Sequence, residues 1–132
     1  MTETRDMVVW HVETEPGYWT LATLADELEL YRSAVAYHLR PLQEQGVLLR
    51  DPPGMVRLLD LEMWNPRRLR RREVPVARAM MEQLVEVGGT VSEQTELGPS
   101  YRRGLAALRR IGVVAPARAL WPARSVELRA AS

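Results

Sequence analysis

Residues 35–48 read VAYHLRPLQEQGVL and are the most informative stretch of this 132-residue chain. Val35, Leu39 and Leu42 are spaced at i, i+4 and i+7, so they lie on one face of a helix running from about Arg32 to Gln45. Gly46 follows at the place where a helix end favours a left-handed residue. The stretch therefore predicts an amphipathic helix with a defined C-terminal end.

The residues after this helix predict a β-hairpin. Residues 47–50 (VLLR) and 55–59 (MVRLL) are short apolar runs typical of strands. Between them, residues 51–54 (DPPG) have the composition of a turn. We expect the two runs to pair with each other.

Two further helices are predicted before residue 35. Thr4 to Val12 favours a first helix, which Glu15-Pro16-Gly17 ends, and Tyr18-Trp19 can form a short strand. Thr20 is a good N-cap for a second helix, because Leu21, Leu24, Ala25 and Leu28 follow at helical spacing. A short break at Glu29–Tyr31 separates this helix from the next one.

The order helix, helix, short turn, helix and hairpin is that of a winged helix-turn-helix. Residues 35–48 closely resemble the recognition helix and first wing strand of arsenic-repressor-type (ArsR) regulators, which share a pattern like V-x-x-H-L-x-x-L-x-x-x-G-[LV]-[LV]. The resemblance covers residues 20–59 and implies a winged helix that binds DNA. Glu29 and Tyr31 depart from the family, which usually has Gly and then a Ser or Thr cap there. Metal sensing is not implied, because the chain has no Cys and its two histidines are far apart.

The second half of the chain repeats the first. Helices are predicted at Val74 to Val87, at Thr90 to Leu97 and around Tyr101, Leu105 and Leu108, with a possible hairpin in Ala115 to Leu128. Leu39, Leu42, Gly46 and Val47 recur as Leu105, Leu108, Gly112 and Val113 at a constant offset of 66 residues. The predicted fold class is mainly α with small β wings, as a tandem winged helix-turn-helix. Its predicted domains are 1–62 (winged helix), 63–73 (Arg-rich linker) and 74–132 (second, degenerate winged helix).

Charge is distributed unevenly along the sequence. Residues 1–64 hold five arginines against eleven acidic residues, which gives −6, and residues 65–132 hold thirteen against six, which gives +7. All eighteen basic residues are Arg, a bias that a GC-rich genome explains, so their number alone says little about nucleic acid. Their positions carry the argument.

A recognition helix buries one face and offers the other to the major groove. In the first half the predicted DNA-binding residues are Arg32, Ser33, Tyr37 and Arg40 on the helix, with Arg50 and Arg57 on the wing. The alternative is that these residues form the solvated face of a surface helix, since Asp26, Glu27 and Glu29 nearby would repel phosphate.

Stronger positive clusters are predicted in the second half. The candidates are Arg67, Arg68, Arg70, Arg71 and Arg72 in the linker, and Ser100, Arg102, Arg103, Arg109 and Arg110 on the last helix. Arg118 and Arg124 could flank them from the second wing. The alternative for all these arginines is pairing with carboxylates of the same chain.

The predicted function is sequence-specific binding of double-stranded DNA as a transcriptional regulator, with a protein–protein adaptor in a chromosome-organising or transcription assembly as the alternative. No Ser/His/Asp set, phosphate-binding loop or Glu-x-x-His pair points to an enzyme, a metal or a cofactor. No apolar run is long enough for a membrane span, so a cytoplasmic, nucleoid-associated location is expected. A homodimer, or a protein partner on the acidic N-terminal half, remains open.

Overall fold

The computed structural model describes residues 2–92 and 99–123 and is mainly helical with short antiparallel strands. Its helices are α1 (Thr2–Thr14), α2 (Leu21–Leu28), α3 (Arg32–Glu44), α4 (Val74–Glu86) and α5 (Pro99–Ile111). Its strands are β1 (Leu48–Arg50), β2 (Met55–Arg57), β3 (Thr90–Ser92) and β4 (Leu120–Pro122). No helix within these ranges is long and apolar enough to cross a membrane.

The chain forms two compact units, and one of them is made of two separate segments. Unit 1 comprises residues 1–52 and 118–132, and unit 2 comprises residues 53–117. The predicted bounds 1–62, 63–73 and 74–132 stay a prediction, but the division by contacts falls inside both predicted hairpins.

The helices of unit 1 follow the sequence pattern closely. Val8 and Val12 of α1, Leu24 of α2 and the predicted face of α3 (Val35, Leu39 and Leu42) are buried in one core. Thr20 caps α2 as predicted, because its hydroxyl accepts a hydrogen bond from the backbone N–H of Thr23.

The first predicted hairpin, between residues 47–50 and 55–59, is wrong. β1 pairs antiparallel with β4, with Leu49 opposite Trp121, whereas β2 pairs antiparallel with β3, with Val56 opposite Val91. The turn residues 51–54 therefore do not connect paired strands. Of the second predicted hairpin, residues 124–128 lie outside the described residues.

Each unit contains one strand that comes from the other sequence repeat, and this strand is hydrogen-bonded on both of its edges: β4 in unit 1 and β2 in unit 2. In unit 1, Leu120 of β4 also exchanges backbone hydrogen bonds with residues 17–19: its N–H donates to Trp19 O (2.8 Å) and its carbonyl accepts from Gly17 N (3.1 Å). In unit 2, Arg57 of β2 pairs with Thr90, and its carbonyl also accepts from Ala115 N (2.9 Å). The two sheets thus follow one plan, with their middle strands exchanged between repeats.

The side chain of Trp121 explains why β1 pairs with β4 and not with β2. Its indole is fully buried, and its Nε1 donates to Asp51 Oδ2 (2.8 Å). Gly17 makes room for this ring, since a Cβ there would overlap Trp121 Cη2. A strand carrying a smaller residue at this register would leave a cavity in the unit.

Unit 2 has its own core, built around α4 and α5. Ala77, Met80 and Leu84 of α4 are buried against Leu105 and Leu108 of α5. The predicted helix at Thr90 to Leu97 is wrong at its start, because Thr90–Ser92 is strand β3, and residues 93–97 lie outside the described residues. Three 3-10 turns precede α4 (Leu61–Met63, Pro66–Arg68 and Arg71–Glu73); the last two lie in the predicted linker 63–73, whose Leu69 is buried in the core.

The 66-residue repeat extends to backbone detail. Gly46 and Gly112 both adopt positive φ, at 72° and 87°, after the equivalent helices α3 and α5. Val47 N donates to Leu42 O (2.9 Å), and Val113 N donates to Leu108 O (3.0 Å). The same helix end is therefore built twice.

We expect unit 1 to be reconstituted only when β4 is supplied. A chain of residues 1–52 joined by a short flexible linker to residues 118–132 should unfold cooperatively, because it retains Leu120 and Trp121. A fragment of residues 1–62 should fail to fold stably, and Trp121→Ala in the full chain should cost about 3–5 kcal/mol. Urea unfolding followed by circular dichroism measures all three, and a fragment 1–62 as stable as the rejoined chain would contradict the exchanged pairing.

The turn between α2 and α3, where Glu29 departs from the family pattern, is strained. Glu29 has φ 55° in the left-handed region, and Tyr31 at the N-cap of α3 makes no side-chain capping hydrogen bond. We expect Glu29→Gly to stabilise the protein by about 1 kcal/mol, because glycine adopts this conformation without strain. Glu29→Ala is the matched control, since it removes the carboxylate and keeps the strain. Thermal unfolding should rank Gly above Ala, and equal stability of the two variants would exclude strain at this position.

Candidate nucleic-acid interface

The outward face of α3 carries the predicted residues of the first half. Arg32, Ser33, Tyr37 and Arg40 are all exposed, and the Tyr37 side chain is 75% accessible. Because Val35, Leu39 and Leu42 hold the opposite face in the core, the helix presents these polar side chains together. Arg40 also forms an i, i+4 ion pair with Glu44 (3.3 Å), and both side chains remain largely exposed.

A shallow cleft of about 430 Å³ runs along this face of α3, lined in part by Tyr37, His38 and Arg40. Arg5 of α1 also lines it, and its guanidinium donates to Gln45 Oε1 (2.9 Å). Sequence reasoning missed Arg5, since a contact across 40 residues leaves no local signal. The arginine adds a positive charge beside the predicted face.

Arg50, predicted as a wing contact, is half-buried at the end of β1. Burial lowers its pKa, and the nearby positive charge of Arg118 lowers it further. Its Nε is buried without a hydrogen-bond partner in the described part of the chain. The two arginines thus bring positive charge to one edge of unit 1, where an anion would relieve their repulsion.

In unit 2, arginines from two parts of the chain border one cleft of about 560 Å³. Arg70 and Arg72 come from the predicted linker, and Arg103 comes from α5. Close packing of α5 on α4 brings them together. Gly104 permits it, because a Cβ there would lie 2.7 Å from the carbonyl oxygen of Val76.

One carboxylate lies in this arginine-lined cleft. Glu73 Oε1 and Oε2 accept hydrogen bonds from Arg110 Nη2 at 3.0 and 3.1 Å, and Arg70 N donates to Oε1 at 3.1 Å. The hydrogen bond from Arg110 is the main cause that lowers the Glu73 pKa. Arg110, predicted to face DNA, is therefore engaged in the chain itself. For Arg72 and Arg103 no such partner exists within residues 2–92 and 99–123.

The other predicted residues of unit 2 are distributed around these elements. Arg67, Arg68, Arg71 and Arg102 are exposed, whereas Arg57 and Arg109 are half-buried. Arg57 was predicted on the wing of the first half, but its strand β2 belongs to unit 2. Ser100 lies in the first turn of α5, and its side chain lies outside the described residues.

Comparison with known protein families, curated proteins and solved structures found no match for this chain. The resemblance of residues 20–59 to ArsR-type regulators therefore stays a prediction. Within the described ranges, no group of three or more His, Asp or Glu side chains is placed to hold a metal ion.

The Glu73–Arg110 contact predicts a pH-dependent contribution to stability. A carboxyl whose pKa is lowered on folding stabilises the folded state above its unfolded pKa of about 4.3 and loses that contribution as the pH falls through its folded pKa. We expect Glu73→Gln to lower the melting temperature at pH 7, and the difference from wild type to shrink as the pH drops below 4. Glu82→Gln, an exposed change on α4, is the matched control and should have little effect at either pH. A Glu73→Gln deficit that is constant from pH 7 to pH 3 would contradict an ionic origin.

Proposed function

We propose that this protein binds double-stranded DNA in a sequence-dependent manner as a transcriptional regulator, with each unit serving as a winged helix. In unit 1, α2 and α3 form the helix-turn-helix, and β1, β4 and residues 17–19 supply the strands beside it. In unit 2, α5 takes the place of α3 at the 66-residue offset. On this proposal the protein acts in the cytoplasm, on the nucleoid.

The observation that carries the proposal is the arginine-lined cleft of unit 2. Arg70, Arg72 and Arg103 converge there, and unit 2 as a whole has eleven arginines against seven acidic residues. Arginine is well suited to phosphate, because its planar guanidinium donates two parallel hydrogen bonds. Such contacts position a protein on the DNA backbone and are independent of base sequence.

Sequence readout is assigned to α3. Its exposed Arg32, Ser33 and Tyr37 lie in the first two turns, which is the part of a recognition helix that contacts base edges. An arginine there is able to read guanine through two hydrogen bonds in the major groove.

The backbone contacts are tested by salt-dependent binding to a fluorescein-labelled random duplex, followed by anisotropy. We expect Arg72→Ala with Arg103→Ala to weaken binding about 10-fold and to reduce the slope of log K against log salt by about 2, because each arginine neutralises about one phosphate. Arg78→Ala is the matched control: it lies on α4 of the same unit, outside the cleft, over the Trp64 ring (6.0 Å). No binding of the wild-type protein at low salt would end the DNA proposal.

A protein–protein adaptor is the second candidate, and the exposed aromatic residues of unit 1 favour it. Tyr31 is 85% exposed and Tyr37 75%, and aromatic side chains of this kind dominate protein interfaces. Two variants distinguish the two candidate functions: the double charge reversal Arg102→Glu with Arg103→Glu, and Tyr37→Ala. If the charge reversal leaves DNA binding intact while Tyr37→Ala abolishes binding to a protein partner, the adaptor function is the correct one.

A further inference from the structure

A second concave site lies in unit 1, away from the outward face of α3. It is a pocket of about 360 Å³ formed by α1, the segment that follows it and α2. Pockets that hold small ligands begin at about 300 Å³. The residues that line it are Trp10, His11, Thr14, Glu15, Trp19 and Glu27.

Three rings form the aromatic part of this pocket. His11 lies between two tryptophans, perpendicular to both, with centroid distances of 5.0 Å to Trp10 and 5.1 Å to Trp19. Its position is fixed, because its Nδ1 hydrogen-bonds the carbonyl oxygen of Met7 (2.7 Å) and its side chain is only 9% exposed. Trp10, by contrast, is 58% exposed, so a large aromatic surface remains open at the mouth of the pocket.

The charged residues of the pocket are acidic. Glu15 and Glu27 line it, and Glu27 Oε1 lies 4.0 Å from His11 Nε2. None of the lining residues in the described chain is an arginine. The indole N–H of Trp19 is buried and has no hydrogen-bond partner in the described residues, which is uncommon for a buried donor.

Aromatic faces and carboxylates both attract cations. The face of an indole ring is negative, so it attracts a cation within about 6 Å, and quaternary ammonium ligands are recognised by such aromatic surfaces. A carboxylate in the same pocket adds Coulombic attraction that a neutral apolar ligand does not gain. The combination discriminates between a cation and a neutral molecule of equal shape.

We propose that this pocket binds an organic cation, an alkylammonium or guanidinium group, either free or at the end of a basic side chain. Trp10 and Trp19 provide the aromatic faces, and Glu15 and Glu27 provide the countercharge. The site is independent of the proposed DNA contacts, since none of its residues lies on α3 or in unit 2.

The experiment uses the full-length protein labelled with ¹⁵N, and follows the indole N–H signals of its four tryptophans. Choline is titrated as the ammonium probe and N-acetylarginine amide as the guanidinium probe. We expect saturable shifts at Trp10 and Trp19, with Trp64 and Trp121 unchanged as internal controls. The neutral isostere of choline, 3,3-dimethylbutan-1-ol, should bind at least 5-fold more weakly. The probe that binds more tightly shows whether the pocket prefers an ammonium or a guanidinium group.

Two variants make the test specific. Trp10→Ala should weaken binding about 2- to 30-fold, the range that one cation–π contact covers from an exposed to a desolvated site. Glu27→Gln should weaken binding of the cation and leave binding of the neutral isostere unaffected, while Glu13→Gln, an exposed change on α1 outside the pocket, should change neither. Equal binding of choline and its neutral isostere would overturn the proposal, as would the absence of shifts with both cations in the wild-type protein.

Discussion

The insertion of β4 between β1 and residues 17–19 is the interaction on which unit 1 depends. Leu120 joins the core beneath α1, α2 and α3, and Trp121 fills the space that Gly17 leaves. Both residues come from the far end of the sequence, so the α2–α3 pair rests on a strand that its own repeat does not supply. β2 has the equivalent place in unit 2, between β3 and Ala115. A long-range exchange therefore supports each unit.

The helices α1 to α5 were predicted well, because their apolar spacing is a local signal, whereas the helix predicted at Thr90 to Leu97 begins as strand β3. The buried face of α3, the Thr20 cap and the left-handed Gly46 and Gly112 all follow from residues within one or two turns. The strand pairing could not be predicted from local sequence, because β2 and β4 have similar short apolar patterns and either could pair with β1. The choice between them depends on side-chain volume at a distant position, where Trp121 meets Gly17.

The same distinction applies to the candidate interface. Exposure of Arg32, Tyr37 and Arg40 followed from helical periodicity alone. The meeting of Arg70, Arg72 and Arg103 depended on the close approach of α5 to Val76 at Gly104, which no local pattern encodes. Arg110 was predicted as an outward cation, but a carboxylate 37 residues away engages it. Periodicity thus predicts which side chains are exposed, whereas tertiary packing decides which of them act together.

The exchange of strands also changes the charge of each unit. Unit 1 contains seven arginines and ten acidic residues, which gives −3, and unit 2 contains eleven and seven, which gives +4. Unit 1 is thus less acidic than the first half of the sequence, because residues 118–132 bring three arginines to it. Arg118 in particular lies near Arg50 at the end of β1. On the proposed function, the segment 118–132, which carries the strand that completes the fold of unit 1, also reduces the repulsion of phosphate by this unit, so the exchange serves both stability and binding.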